Sequence, residues 1–276
     1  MFHFDSDCDI IVEDSIAPFF CTCKNGYDVN VRLVHDFTDA PHPTTAKIGE
    51  DLLMEHYREG DSLLCMGKGG SGTYLSSCLC SADLREMTCW LKYPSGTLVD
   101  SLGNILRMIP IHRILMKHRV LFLHASQIAL GSTGILFTAP SGTGKTTQAR
   151  LWNRFRGAQI LCNDRTLTDC VKTYGYPVDG SEPIISGEQR NLGAVVYLQQ
   201  APENSIRRIR AREALPLLMS QAILDVWDSD AQSAVLQRML DLISRTPVYL
   251  LACTPDEYAV QCLEQQLWKD GVIPHE

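Results

Sequence analysis

Residues Ala139-Pro140-Ser141-Gly142-Thr143-Gly144-Lys145-Thr146-Thr147 combine glycines, a lysine and hydroxyls at a spacing suited to gripping phosphate. Glycines at 142 and 144 let the backbone take conformations closed to other residues and approach an anion closely, so that successive N–H groups point at it. A helix starting there adds the partial positive charge of its N-terminus. Lys145 supplies a mobile positive charge for the outer phosphates, and the Thr146 hydroxyl is placed to complete the shell of a magnesium ion held mainly by phosphate oxygens and water. Ser141, Gly142, Thr143, Gly144, Lys145, Thr146 and Thr147 are therefore the candidate nucleotide-binding residues. A strict P-loop has glycine six residues before the lysine; here that position is Ala139. The alternative is an ordinary strand-to-helix turn with Lys145 as a surface charge.

Phosphoryl transfer needs more than phosphate binding: an acid to tune the metal and a group to take the acceptor's proton. Asn163-Asp164-Arg165 follows the apolar run Gln159-Ile160-Leu161-Cys162, so Asp164 falls at a strand end, where α/β sheets present functional side chains. An aspartate there can orient magnesium or accept the proton of an attacking hydroxyl, worth roughly a hundred- to ten-thousandfold in rate. A turn-forming Asn-Asp pair is the alternative. His124 lies in the strand before the one that enters the loop. If the two strands pair, it approaches the phosphate site from the side; otherwise it is a satisfied core histidine.

These residues need a frame. Gly134-Ile135-Leu136-Phe137-Thr138 reads as a strand and residues 148–155 as a helix, the context that phosphate binding by such a loop requires. Residues 119–130 form the preceding strand, joined through the four residues 131–134, so the loop strand enters from a hairpin rather than from a plain doubly wound sheet. Further strands are expected at 159–162, 193–198 and 247–251, and helices at 212–225, 231–244 and 255–267. The last has Thr254 as cap, Pro255 in the first turn and Glu257 completing a capping box, with Tyr258, Val260, Cys262, Leu263 and Leu267 facing the core.

Upstream, apolar residues recur at threes and fours over 97–119, a helix that Pro110 must end or kink. Residues 1–95 read as short strands at 10–12, 29–34, 62–66, 73–75 and 88–91. Gly67-Lys68-Gly69-Gly70-Ser71-Gly72 is read as a hairpin loop, because a strand-like segment and not a helix follows it. The expected architecture is α/β: a strand-rich N-terminal subdomain at 1–95, then a nucleotide-binding core at 96–276 with a mixed sheet and flanking C-terminal helices.

At 276 residues, 45% hydrophobic and 21% charged, the chain can bury one large core or two modest ones. No apolar run approaches a membrane span, and Met1-Phe2-His3-Phe4-Asp5 lacks the basic-then-apolar pattern of a secretion signal, so a cytoplasmic location without a membrane partner is expected. A net charge of −7 argues against an extended nucleic-acid surface, although Arg207, Arg208, Arg210 and Arg212 form a local basic cluster. Solvated arginines on a strand or helix start are the simpler reading of that cluster. Cys21-x-Cys23 and Cys78-x-Cys80 have the spacing of one strand face, which suits packing better than zinc. The odd total of 11 cysteines points to reduced thiols.

Leu121-Phe122-Leu123-His124-Ala125-Ser126, a glycine-bearing turn, Gly134-Ile135-Leu136-Phe137, Ser141-Gly142-Thr143-Gly144-Lys145-Thr146, Arg156-Gly157 and Asn163-Asp164 together resemble the core of HPr kinase/phosphorylase. That family has a His-Gly or His-Ala strand, a Ser-Gly-x-Gly-Lys-Ser loop, an Arg-Gly pair ending the helix and an Asp-Asp pair on the next strand. The loop is also similar to that of ATP-dependent phosphoenolpyruvate carboxykinase, which shares the core fold. The resemblance covers roughly residues 119–170. It implies an HPr kinase/PEP carboxykinase-like P-loop core in which Lys145 and Thr146 serve phosphate and magnesium, Asp164 is the general base and His124 is the active-site histidine. Asn163 stands where the family has its first aspartate, one negative charge fewer. The stretch 178–187 resembles a Gly-x-Pro and Ser-Gly segment of small HPr-kinase-like proteins, which makes Glu182 the candidate for their second acidic metal ligand; a surface-loop carboxylate is the alternative. Relatives with this core are often oligomeric, so a homo-oligomer is allowed by analogy.

The expectation is thus an ATP- and Mg2+-dependent kinase acting on a serine/threonine-type hydroxyl of a protein, peptide or small metabolite. The competing expectation is a nucleotide-binding regulatory or scaffold protein without phosphoryl transfer. A kinase of nucleoside or RNA hydroxyls is a third, supported only by the four arginines.

Overall fold

Alternating apolar and polar residues build the first half of the chain into a sheet. The computed structural model describes residues 1–7, 10–12, 14, 16–19, 28–51, 53–69, 72–92, 102–178, 184 and 186–274. They divide into two units, one of Met1–Ile114 with Asp225–Ser229, the other of Leu115–Leu224 with Asp230–Glu276.

The first unit holds β1 (Phe2–Ser6), β2 (Val29–Val34), β3 (Lys47–Glu50), β4 (Met54–Glu59), β5 (Ser62–Lys68), β6 (Tyr74–Cys80) and β7 (Glu86–Leu91). They form a mixed sheet in the order β1-β2-β7-β6-β5-β4-β3, with β1–β2 and β2–β7 parallel. Val29, Val31 and Leu33 point to the buried side of β2 at period two. The glycine-rich segment joins β5 to β6 as a hairpin, although residues 70 and 71 lie outside the described set. Cys78 and Cys80 share a buried face as expected, and Cys65, Cys78 and Cys89 face one another across β5, β6 and β7. Hydrogen bonding to Cys80 and burial push the Cys65 thiol well above its ordinary range. Cys21 and Cys23 lie outside the described residues.

One N-terminal expectation changes, and strands that spacing did not show are added. Residues 10–12 form no strand; the Ile11 carbonyl instead accepts from Leu102 N at 2.9 Å. β1 is an additional strand, and β3 and β4 arise where Lys47, Glu50, Glu55 and Glu59 obscure the alternation. As expected, the helical pattern over 97–119 is broken at Pro110, into α1 (Leu102–Met108) and α2 (Ile111–Lys117); residues 97–101 are outside the described set.

In the second unit β8 (Leu121–Leu130) and β9 (Thr133–Thr138) form the hairpin that feeds α3 (Lys145–Arg156). The turn is Gly131-Ser132, two residues rather than four, with Gly131 at φ 55°. β10 (Gln159–Cys162), β11 (Arg165–Thr168), β12 (Lys172–Gly175), β13 (Gln189–Gln200) and β14 (Ser205–Arg208) follow, then α4 (Ala211–Met219), α5 (Ser229–Arg245), β15 (Val248–Cys253) and α6 (Glu257–Lys269). β9, β13 and β15 run parallel, while β10 and β11 pair antiparallel with β8, so this sheet too is mixed. Ala149 and Trp152 of α3 pack with Val260, Leu263 and Leu267 of α6 against one set of sheet residues. Leu218 of α4 and Met239 and Leu242 of α5 pack against another.

α4 ends six residues early. Residues 221–223 run beside β8 instead, where Gln221 O accepts from His124 N at 2.9 Å and Phe122 O accepts from Ile223 N at 2.8 Å. α6 is capped by Asp256, whose carboxylate accepts from Ala259 N at 3.2 Å, and Thr254 donates to Asp256 rather than capping itself. Tyr258, expected to face the core, is 70% exposed, while Val260, Leu263 and Leu267 are buried as expected and Cys262 half-buried. Among the described residues no helix is long and apolar enough to cross a membrane.

Candidate functional site

The loop between β9 and α3 needs its glycines. Gly142 has φ 78° and Gly144 φ 115°, backbone states that a side chain rarely adopts. Gly144 is the N-cap of α3, and no side chain caps the helix there, which leaves the first-turn amides to the loop. At the other end Arg156 is the last α3 residue and Gly157, at φ 63°, closes the helix through its N–H to Asn153 O.

Lys145 is buried, 7% exposed. Its Nζ donates to Ala139 O at 2.9 Å and lies 3.3 Å from Pro140 O, so the ammonium rests on the loop's own carbonyls. Burial pulls its pKa below the ordinary lysine range, and the nearby charge of Asp164 opposes this. Thr146 is half-buried, and Ser141, Gly142 and Thr147 are exposed.

Strand pairing brings the other candidates here. Ala125 faces Thr138, the last residue of β9, and His124 faces Arg165, the first of β11. His124 Nε2 donates to Asp164 Oδ1 at 2.8 Å, with both side chains about one-third exposed, at 29% and 31%. The hydrogen bond from His124 holds the Asp164 carboxyl below its ordinary range; burial opposes, and the charges of Arg165 and Lys145 assist. Arg165 Nε stands 3.6 Å from Asp164 Oδ2. The turn carrying Asp164 is fixed at both residues: Ser126 Oγ donates to Asn163 O at 2.6 Å, and Ala125 N to Asp164 O at 3.0 Å. Asn163 itself is buried. Thr138 Oγ1 donates to His124 O at 2.9 Å, tying the histidine strand to the loop strand.

The structure thus gathers His124, Lys145 and Asp164 at one end of the sheet, with the glycine loop beside them. Glu182 lies outside the described residues. Sequence reasoning passed over Gln200, whose Nε2 stands 3.4 Å from the carbonyls of Gly142 and Thr143. Residues 140–143 and 197–200 line an open depression of about 510 Å³. The signal for it is the parallel register that sets Tyr197 beside Thr138, a long-range pairing that no local spacing reveals.

No protein-family model matches the chain, and no curated protein matches it. Among solved structures it is distantly similar to the HPr(Ser) kinase/phosphatase from Coxiella burnetii, at 13% sequence identity and a TM-score of 0.30, over 54% of this chain and 93% of that one.

Proposed function

We propose that the chain is an ATP- and Mg2+-dependent kinase that transfers a phosphoryl group to a serine/threonine-type hydroxyl of a protein, peptide or small metabolite. The observation that carries this reading is the 2.8 Å hydrogen bond from His124 to Asp164, beside a buried lysine and a loop whose two glycines hold positive φ. The donor set suits a magnesium nucleotide: a helix start that no side chain among the described residues caps, one ammonium and a threonine hydroxyl. Magnesium, when bound, would neutralise charge on the phosphates, and the Thr146 hydroxyl would be the side chain to hold it.

The chain's own residues do the rest. Lys145 exchanges two carbonyl partners for phosphate oxygens, which restores the counter-charge that burial denies it. Asp164 is ionised at neutral pH and takes the acceptor's proton on Oδ2 while His124 keeps Oδ1 occupied. The acceptor oxygen bonds to the terminal phosphorus as the bridging oxygen leaves with the nucleoside diphosphate. His124 acts as a positioning residue.

The test is transfer of labelled phosphate from ATP to serine, threonine and candidate peptides, beside a nucleotide thermal-shift measurement. Lys145→Ala should abolish both signals. Asp164→Asn should keep nucleotide binding and lose turnover by roughly a hundred- to ten-thousandfold. Nucleotide binding with no transfer to any acceptor moves the assignment to a regulatory or scaffold protein.

A further inference from the structure

The first unit carries a cluster of metal-ligand types remote in sequence from the glycine loop. Asp51, His56 and Asp225 each present one ligand atom, all within 4.8 Å of one another. They come from the segment between β3 and β4, from β4, and from the short segment Asp225–Ser229 that groups with this unit. His56 is fully buried, and its Nε2 lies 3.2 Å from Asp51 Oδ2. Its other nitrogen, Nδ1, is 3.4 Å from Cys65 Sγ, which orients the ring as an outer-shell partner orients a metal-binding histidine. Beside the cluster, His112 Nε2 is sealed from solvent, 3.0 Å from Asp225 Oδ2 without the alignment of a hydrogen bond.

The spacing is that of a shared centre. Bonds of 2.0–2.2 Å in a tetrahedral site set ligand atoms about 3.4 Å apart, close to the 3.2 Å between His56 and Asp51, and the Asp225 ligand atom lies within 4.8 Å of both. Charge points the same way. Asp225 is buried, with a second carboxylate within 4.8 Å, and the Arg113 guanidinium is divided between Asp225 and Asp228. Asp51 and Asp225 bring two carboxylates to the His56 imidazole, and a divalent cation can balance them in place of a proton on that ring. Imidazole among the donors favours zinc or a similar transition ion over magnesium or calcium.

The geometry points to a structural site for a divalent transition metal of the zinc class, ligated by Asp51, His56 and Asp225, with His112 beside Asp225 at its edge, that pins the Asp225–Ser229 segment within the first unit. It is independent of the nucleotide reading.

The experiment uses the full-length chain, freed of any affinity tag and stripped with chelator, then titrated with zinc and with cobalt(II) in the absence of nucleotide. One equivalent of zinc should bind. Cobalt should give visible bands of a low-coordinate site and quench Trp227, whose ring is 5.0 Å from that of His56; Trp227→Phe should lose the quenching and keep the bands. Asp51→Asn, at a partly exposed position that spares the core, and Cys65→Ala, which removes only the orienting thiol, should each weaken affinity by about 10- to 100-fold. Lys145→Ala should leave it unchanged. Absence of stoichiometric binding to the stripped wild type overturns the proposal, as does undiminished binding in both Asp51→Asn and His56→Ala; the cluster is then a proton-bridged ion network.

Discussion

His124 and Asp164, 40 residues apart in the chain, are joined by a 2.8 Å hydrogen bond. The turn between β10 and β11 makes the contact, because Arg165 pairs with His124 and so delivers the preceding residue to the histidine ring. The bond does two things. It fixes one carboxylate oxygen, and it favours the ionised form of the acid.

That second effect has a definite sign in pH. The folded Asp164 titrates below its ordinary value of 3.8, chiefly through the His124 hydrogen bond. Its contribution to stability is therefore complete above the unfolded value and is lost as pH falls through the lowered folded value. Removing the donor in His124→Ala should raise the folded pKa of Asp164, so the variant should unfold at higher pH than wild type in an acid titration followed by circular dichroism. The acid limb of the proposed phosphoryl transfer should move up with it. Coincident acid midpoints would show that the bond does not hold the carboxylate.

Lys145 separates binding from folding. Its ammonium is buried on two loop carbonyls, so replacement removes a desolvated charge but leaves the buried Ala139 carbonyl without that donor. The two effects oppose, and Lys145→Met should unfold within about 1 kcal/mol of wild type by denaturant titration. Its thermal shift with ATP should vanish. A stability loss several times larger would mean the lysine is chiefly a structural strut of the loop.

Much of this site was legible from spacing, because a strand, a loop with glycines two apart and a helix are local features. The 119–138 hairpin was equally legible, with both strands carrying buried apolar runs. What spacing could not deliver were the registers. Gln200 reaches the loop only because β13 lies parallel to β9, and no local pattern encodes that pairing. β3 and β4 escaped because Lys47, Glu50, Glu55 and Glu59 sit among their residues, and the α6 cap moved two residues because Asp256 outcompetes Thr254 for the first-turn amide. The cluster around His56 draws on residues from 51 to 225, so it had no motif to read.

Gly144 tests whether the loop conformation itself matters. At φ 115° an added Cβ would meet only Thr147 Cβ, at 4.0 Å, so Gly144→Ala is strained rather than blocked. The cost should be about 1–3 kcal/mol in the native state. If the first-turn amides of α3 are the phosphate site, relief of that strain will tilt them away, and the ATP-induced thermal shift should shrink more than overall stability does. A variant with full stability and full nucleotide response would separate the glycine from the function.

Gly49 presents the opposite case, space rather than torsion. A Cβ there would stand 2.1 Å from Cδ2 of Trp227 and 2.2 Å from Cγ, far inside van der Waals contact. The indole has little room to retreat, since the His56 ring lies 5.0 Å from it and the Arg113 guanidinium 4.8 Å. Gly49→Ala should therefore cost about 1–3 kcal/mol, as overpacking does, and should change Trp227 emission as the Asp225–Ser229 segment shifts. Trp227→Ala in the same chain removes the obstacle, so a double-mutant cycle should return a coupling of at least about 1 kcal/mol. Additive losses from the two substitutions would mean that β3 and Trp227 do not meet in solution.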